Sequence, residues 1–128
     1  MLDTNAIGVV MQERGGARSR FERHFGSVGV STIVLFELHY GLAKSNSSII
    51  NNQRLSAFLD LGIEIAPFLA ADAAAAGRLR AQMEGAGKPM GPYDLLIAAH
   101  ALRRNATLVT QDAGFYGIKN LRVADWTA

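Results

Sequence analysis

The sequence contains no cysteine, which excludes a disulfide framework and any thiolate metal site and leaves the fold to stand on packing. It also lacks any run near the ~20 apolar residues that a membrane-spanning helix needs. The start, acidic at Asp3 with only a short apolar stretch from Ala6 to Met11, does not resemble a secretory leader. A cytoplasmic protein without membrane attachment is expected. No GxxxxGK[ST] phosphate loop is present, so Walker-type nucleotide binding is excluded. Charge of one sign is scarce as well: 13 Lys+Arg against 11 Asp+Glu leave a net of +2, too little for overall attraction to nucleic acid to carry weight. The basic residues are mostly Arg, and Arg14, Arg18, Arg20 and Arg23 fall close together. Guanidinium forks suit phosphate. Glu13 and Glu22 dilute this patch, and a solvated face is the plainer reading.

A chain of 128 residues has the size of one domain and can bury a real core. At 49% hydrophobic and 19% charged residues it is not disordered, and its apolar surplus points to self-association. No internal repeat or low-complexity linker divides it; Ala70 to Ala76 is alanine-rich, and Lys44 to Gln53 is polar enough for a loop. Short β-branched runs at Val28 to Ser31, Ile63 to Ala66, Thr107 to Thr110 and Leu121 to Val123 alternate with helical patterns, the signature of parallel βαβ units.

Helix ends are marked locally. Ser31 or Thr32 caps a helix through about Ala43; Ile50 to Leu61 places Leu55, Phe58 and Leu59 on one stripe; Leu69 to Glu84 stops before Gly85 and Gly87. Gly91 and Pro92 open another, with Leu95, Ala98, Ala99 and Leu102 inward and Asn105 as its stop. Asn5 to Glu13 reads as helix, broken at Gly15 and Gly16.

An open parallel sheet binds ligands outside the carboxyl ends of its strands, and the crossover helices begin on that same edge. Asp3 follows a first strand stub, Glu37 lies in the second turn of a helix after a strand, Asp94 in the first turn of a helix, and Asp112 just past a strand. All belong to the active edge. Asp60, Glu84, Glu64 and Glu22 fail this test and read as surface residues. Asp72 passes it but is explained by helix capping, and Asp125 reads as solvated.

Converging carboxylates repel one another, so their cluster needs protons or a cation. Oxygen ligands without His or Cys suit Mg²⁺ or Mn²⁺. Such a site can activate a water and neutralise a phosphoryl group, which is nuclease chemistry. Each acid also has a local explanation: Asp94 a helix start, Asp112 a turn before Gly114, Glu37 a polar helix face. Glu37 is the hardest to dismiss, because Ile33, Val34, Leu35, Phe36, Leu38 and Tyr40 make its surroundings nearly all apolar; a carboxylate there needs a partner.

Taken together, MLDTN at Met1 to Asn5, VSTIVLFELHYGLAKS at Val30 to Ser45, GPYDLLIAAHAL at Gly91 to Leu102 and TLVTQDAGF at Thr107 to Phe115 resemble the PIN domain family, most closely its VapC-type toxins. The similarity spans nearly the whole chain and rests on the order and spacing of the motifs. It implies a single PIN-like domain, a three-layer α/β/α fold with a central, mostly parallel sheet. It implies a metal-dependent endoribonuclease, the toxin of a toxin–antitoxin pair, in which Asp3, Glu37, Asp94 and Asp112 hold Mg²⁺ or Mn²⁺ and a metal-activated water cleaves RNA. Asn5 and Thr110 match polar positions that hydrogen-bond the carboxylates or a metal-bound water. The implied partners are an RNA substrate, a cognate antitoxin whose carboxyl-terminal segment reaches the acidic site, and a second copy in a homodimer. Leu42, Ile49 and Ile50 are candidate contacts. In two places the chain departs from the pattern. Only Met1 and Leu2 precede Asp3, so the first strand is either short or begun upstream, and Ala113 and Gly114 stand where many relatives carry a further acid or polar residue.

Rival readings remain at this stage. His24, His39 and His100 pair with no nucleophile in sequence and read as ordinary packed or surface residues. A receiver-type phosphoacceptor domain would need a Lys across the site, and Lys119 precedes a strand rather than ending one. A catalytically inert PIN-like module that binds RNA or protein would be expected to have lost an acid, and none is missing. A phosphatase for small esters could use the same metal chemistry, and only the resemblance favours RNA.

Overall fold

The computed structural model describes residues 1–12, 16–44 and 48–127, with the side chains of residues 48–50 outside the description. Strands β1 (Gly29–Ser31), β2 (Glu64–Ala66), β3 (Leu108–Val109) and β4 (Val123–Ala124) are short. β1 and β2 pair in parallel with Val30 opposite Ile65; β3 and β4 pair in parallel with Leu108 opposite Val123. Residues 1–3 join the two pairs. The Leu2 amide donates to the Gly29 carbonyl at 3.0 Å, the Val109 amide to Met1 at 2.8 Å and the Asp3 amide to Val109 at 3.0 Å, and Leu2 bridges Val109 in the parallel sense. Residues 1–3 therefore lie at the centre of the sheet, between β1 and β3.

Neighbouring strand residues point to opposite faces, yet Val30 and Ser31, and Leu108 and Val109, are buried as consecutive pairs. Both faces of the sheet are thus covered by helices, as parallel sheets require. These are α1 (Thr4–Met11), α2 (Ala17–Arg23), α3 (Thr32–Lys44), α4 (Ser48–Leu59), α5 (Ala70–Gly85) and α6 (Pro92–Arg103). α5 packs along α6, while α1 meets α2, α3 and α4, and α3 also reaches α6. Leu2, Ile7, Val10, Val30, Val34, Phe58, Ile97 and Leu108 belong to one continuous core.

Most expected ends hold within a residue or two. The Ser31 hydroxyl accepts from the Ile33 amide at 3.0 Å and so caps α3. Gly87, at φ 72°, lets the chain turn after α5 while the Lys88 amide closes on the Met83 carbonyl at 2.8 Å. Asn105 stops α6 in the left-handed region at φ 52°. The Lys44 to Gln53 loop is corrected: α3 runs to Lys44 and α4 already begins at Ser48. Its polar residues Asn52 and Gln53 are exposed while Leu55 and Phe58 are buried, so local polarity marked one face of an amphipathic helix. The cluster of arginines lies largely on α2, where Arg18 pairs with Glu22 at 3.1 Å and Arg20 donates to the Asp125 carbonyl at 2.9 Å. Glu13, Arg14, Gly15 and the side chains of Ile49 and Ile50 lie outside the described residues. Leu42 is half-buried. Among the described residues, no helix is long and apolar enough to cross a membrane.

Candidate active site

Asp3 ends the central segment and caps α1. Its Oδ1 accepts the Ala6 amide at 2.8 Å, and the carboxylate is only 5% exposed. Thr110, buried at the end of the neighbouring β3 strand, has its hydroxyl near the same carboxylate and lowers its pKa. Its hydroxyl oxygen also accepts the Asp112 amide at 2.9 Å. This tie fixes the turn that carries Asp112 relative to Asp3. Asp112 in turn accepts the Gly114 amide at 2.8 Å, so the local explanation of Asp112 as a turn residue and its place on the active edge are both true.

Glu37 has the partner that its apolar surroundings demand. The Thr4 hydroxyl donates to Glu37 Oε1 at 2.7 Å, joining α1 to α3. Asp94 lies half-buried in the first turn of α6, whose capping residue is Gly91, and makes no side-chain hydrogen bond among the described residues. Asn5 is exposed and likewise makes none.

The charges of these acids are felt mutually. Burial raises the Asp3 carboxyl above the usual carboxylate range, opposed by the Thr110 hydroxyl and the Ala6 hydrogen bond and reinforced by Asp112 and Glu37. Burial also raises Asp94, reinforced by Asp112, Glu37 and Asp3. The four side chains therefore share one electrostatic field at one edge of the sheet. Among the described residues, no three acidic or imidazole side chains already stand close enough to enclose an ion. Asp3 and Asp112 each accept a nearby backbone amide, and Glu37 accepts the Thr4 hydroxyl from across the fold. An all-oxygen set under mutual repulsion still fits a hard divalent cation, because each donor engages one carboxylate oxygen and leaves the other lone pairs for the ion.

A shallow cavity of about 230 Å³ adjoins Asp94 and Asp112 and is bordered by Lys88, Met90 and Gly117. A roomier one, about 390 Å³, is lined by Met1, His24, Thr107 and Trp126 at the opposite edge of the sheet and contains no acid.

Three of the acids set aside by the edge rule have basic partners. Glu22 pairs with Arg18, Glu84 with Arg80 and Glu64 with Arg104, and Asp60 is exposed. Asp72 accepts the Leu69 amide at 2.7 Å, the capping role expected of it. His24 stacks on Trp126 with ring centres 5.8 Å apart, and His39 is exposed. His100 is packed, but it is not ordinary: its Nδ1 lies 2.8 Å from the Ser31 hydroxyl. Thr4 is the site residue that sequence reasoning missed; its only signal was a hydroxyl beside Asp3 in MLDTN.

The profile of the PIN domain family matches residues 1–121. A tRNA(fMet)-specific endonuclease VapC from Shigella flexneri is 34% identical over 99% of this chain and 97% of that protein. A ribonuclease VapC2 from Rickettsia felis is 42% identical over 78% of this chain and 75% of that protein. The fold superposes with a TM-score of 0.91 and 36% identity on a chain of the crystal structure of VapBC2 from Rickettsia felis bound to a DNA fragment from their promoter, covering 98% of this chain and 97% of that one. Sequence, fold and acidic edge thus agree, and the chain belongs to the PIN domain family, among its VapC-type members.

Proposed function

We propose that this protein is a divalent-metal-dependent endoribonuclease, the toxin of a toxin–antitoxin pair, with Asp3, Glu37, Asp94 and Asp112 as its metal-binding and catalytic residues and the whole chain acting as one domain. The observation that carries this reading is the shared field of those acids at the carboxyl edge of the sheet, with Asp3 and Asp94 both held above their ordinary range. VapC-type relatives with endonuclease and ribonuclease names support RNA over a small ester.

The chain's own residues divide the work. Asp3, on the rigid centre of the sheet, and Asp94, without a competing hydrogen bond, are the anchoring ligands. Glu37 and Asp112 bring further negative charge from α3 and from the turn after β3. Thr4 holds Glu37 in orientation by a hydrogen bond, and the Thr110 hydroxyl supports Asp3 from the adjoining strand end. Lys88, beside Asp94 and Asp112, offers a cation to the RNA backbone. A bound Mg²⁺ or Mn²⁺ would supply Lewis acidity towards the phosphodiester and lower the pKa of an attacking water.

The partner of this toxin is a cognate antitoxin, in keeping with the VapBC complexes that its fold matches. Phe36 and Tyr93, next in sequence to Glu37 and Asp94, are 50% and 47% exposed, and their rings meet at 5.5 Å between α3 and α6. Such an aromatic surface beside the acids suits an antitoxin segment that covers the site, and the exposed apolar side chains also accord with a homodimer.

Cleavage of a structured RNA with Mg²⁺ or Mn²⁺, with and without excess chelator, tests the reading. Cleavage should require the metal and generate internal cuts; equal cleavage after chelation, or trimming from the ends alone, would refute it.

A further inference from the structure

His100 lies on α6, six residues beyond Asp94, and is fully buried. It touches three other parts of the fold. Its Nδ1 meets the Ser31 hydroxyl at 2.8 Å, at the junction of β1 and α3. Its Nε2 faces Asp72 Oδ2 at 3.7 Å, in the first turn of α5, without closing a full hydrogen bond, and the Pro67 backbone lies near the ring. The Phe68 ring packs edge-on against the imidazole at 5.3 Å. Asp72 is itself engaged, accepting the Leu69 amide at 2.7 Å and Arg103 at 3.3 Å.

Nε2 faces a carboxylate oxygen of Asp72, which can only accept, so the imidazole proton belongs on Nε2 and Nδ1 accepts the Ser31 hydroxyl, whose oxygen in turn accepts the Ile33 amide. Each group then has a compatible role. A packing residue needs none of this; a leucine would fill the space.

We infer that His100 is a positioning residue of the acidic site: through Ser31 and the Asp72 turn it fixes the starts of α3 and α5 against α6, and so holds Glu37 and Asp94 in register across the sheet edge. The inference rests on the metal-dependent ribonuclease reading. Ser31 is the link that matters most, because it caps the helix that carries Glu37. A second tie at the same junction, the Phe68 amide donating to Thr32 Oγ1 at 3.1 Å, shows that the start of α3 is held from the β2–α5 turn as well.

The test measures Mn²⁺ affinity by calorimetry, cleavage rate and thermal unfolding for wild type, His100→Leu, His100→Asn, Ser31→Ala and a distant core control, Phe58→Leu. An asparagine side-chain oxygen can replace Nδ1 as acceptor and keep the Ser31 contact. His100→Leu should weaken Mn²⁺ binding and slow cleavage about 10-fold or more, as loss of a ligand-orienting group does. His100→Asn should recover most of that loss. Ser31→Ala should reproduce it, and combined with His100→Leu should add little. Phe58→Leu should lower the melting temperature and leave Mn²⁺ affinity unchanged. Should His100→Leu fail to fold, Ser31→Ala and His100→Asn carry the same comparison. Wild-type Mn²⁺ affinity in Ser31→Ala, or an affinity loss in Phe58→Leu matching that in the site variants, overturns the inference while leaving the ribonuclease reading intact. A wild type that neither binds Mn²⁺ nor cleaves RNA overturns both.

Discussion

The Thr4 hydroxyl donates to Glu37 Oε1 at 2.7 Å, so the residue after Asp3 orients an acid from a helix that begins after the next strand. Thr4→Val removes the donor at nearly constant volume. It should weaken metal binding and cleavage by about 10-fold with little change in melting temperature, while Thr4→Ser retains both. Titration of cleavage rate against Mg²⁺ concentration separates the two variants.

Asp3 and Asp94 both have raised carboxyl pKa values. A carboxyl raised on folding adds stability below its unfolded pKa, and that contribution is lost as pH rises through the folded pKa. Near neutral pH the metal-free acidic edge is therefore under repulsion, and Asp94→Asn should raise the melting temperature of the metal-free protein while removing its activity. Differential scanning calorimetry with chelator present reads the sign; a lower melting temperature would contradict it.

Metal uptake should accordingly release protons wherever Asp3 or Asp94 is still partly protonated. Calorimetric Mn²⁺ titrations at pH 5 in buffers of different ionisation enthalpy should show proton release that shrinks towards pH 8. A pH-independent signal would disprove the coupling.

The buried pair behind the site has the opposite pH sense. Burial lowers His100, partly offset by Asp72 and Pro67. Burial pushes Asp72 upward, but the Leu69 amide and Arg103 prevail and hold it below the ordinary value. Both lowered values mean stability that is present above the unfolded pKa and lost as pH falls through the folded one, below about 6.5 for the imidazole and below about 3.9 for the carboxyl. The melting-temperature difference between wild type and Asp72→Asn should shrink from pH 7 to pH 3. The comparison isolates this network from the acids at the edge, whose contribution runs the other way.

The four acids were legible because strand ends and helix starts carry local signals, and one topological rule places them on a common edge. Asp72 was equally legible as a cap. Thr4 to Glu37 spans 33 positions and Ser31 to His100 spans 69; neither contact has a local signature, so both had to be seen in three dimensions. The start of α4 was obscured for a different reason, since its exposed Asn and Gln residues look the same on a helix face as in a loop.

If an antitoxin covers the acids, Phe36→Ser and Tyr93→Ser should each weaken its binding by about 10-fold or more, the size of an aromatic hot spot. Both side chains are about half exposed, so the melting temperature of the toxin alone should change little. Binding isotherms with the purified antitoxin decide this.

The central claim is tested most directly by the cleavage rate of one structured RNA in Mg²⁺ for wild type, Asp3→Asn and Asp94→Asn, with circular dichroism confirming an unchanged fold. Wild type should cut internally, and both variants should lose at least about 100-fold in rate, consistent with the loss of electrostatic stabilisation at a reacting phosphoryl group. Variants that are correctly folded and as active as wild type would contradict the account.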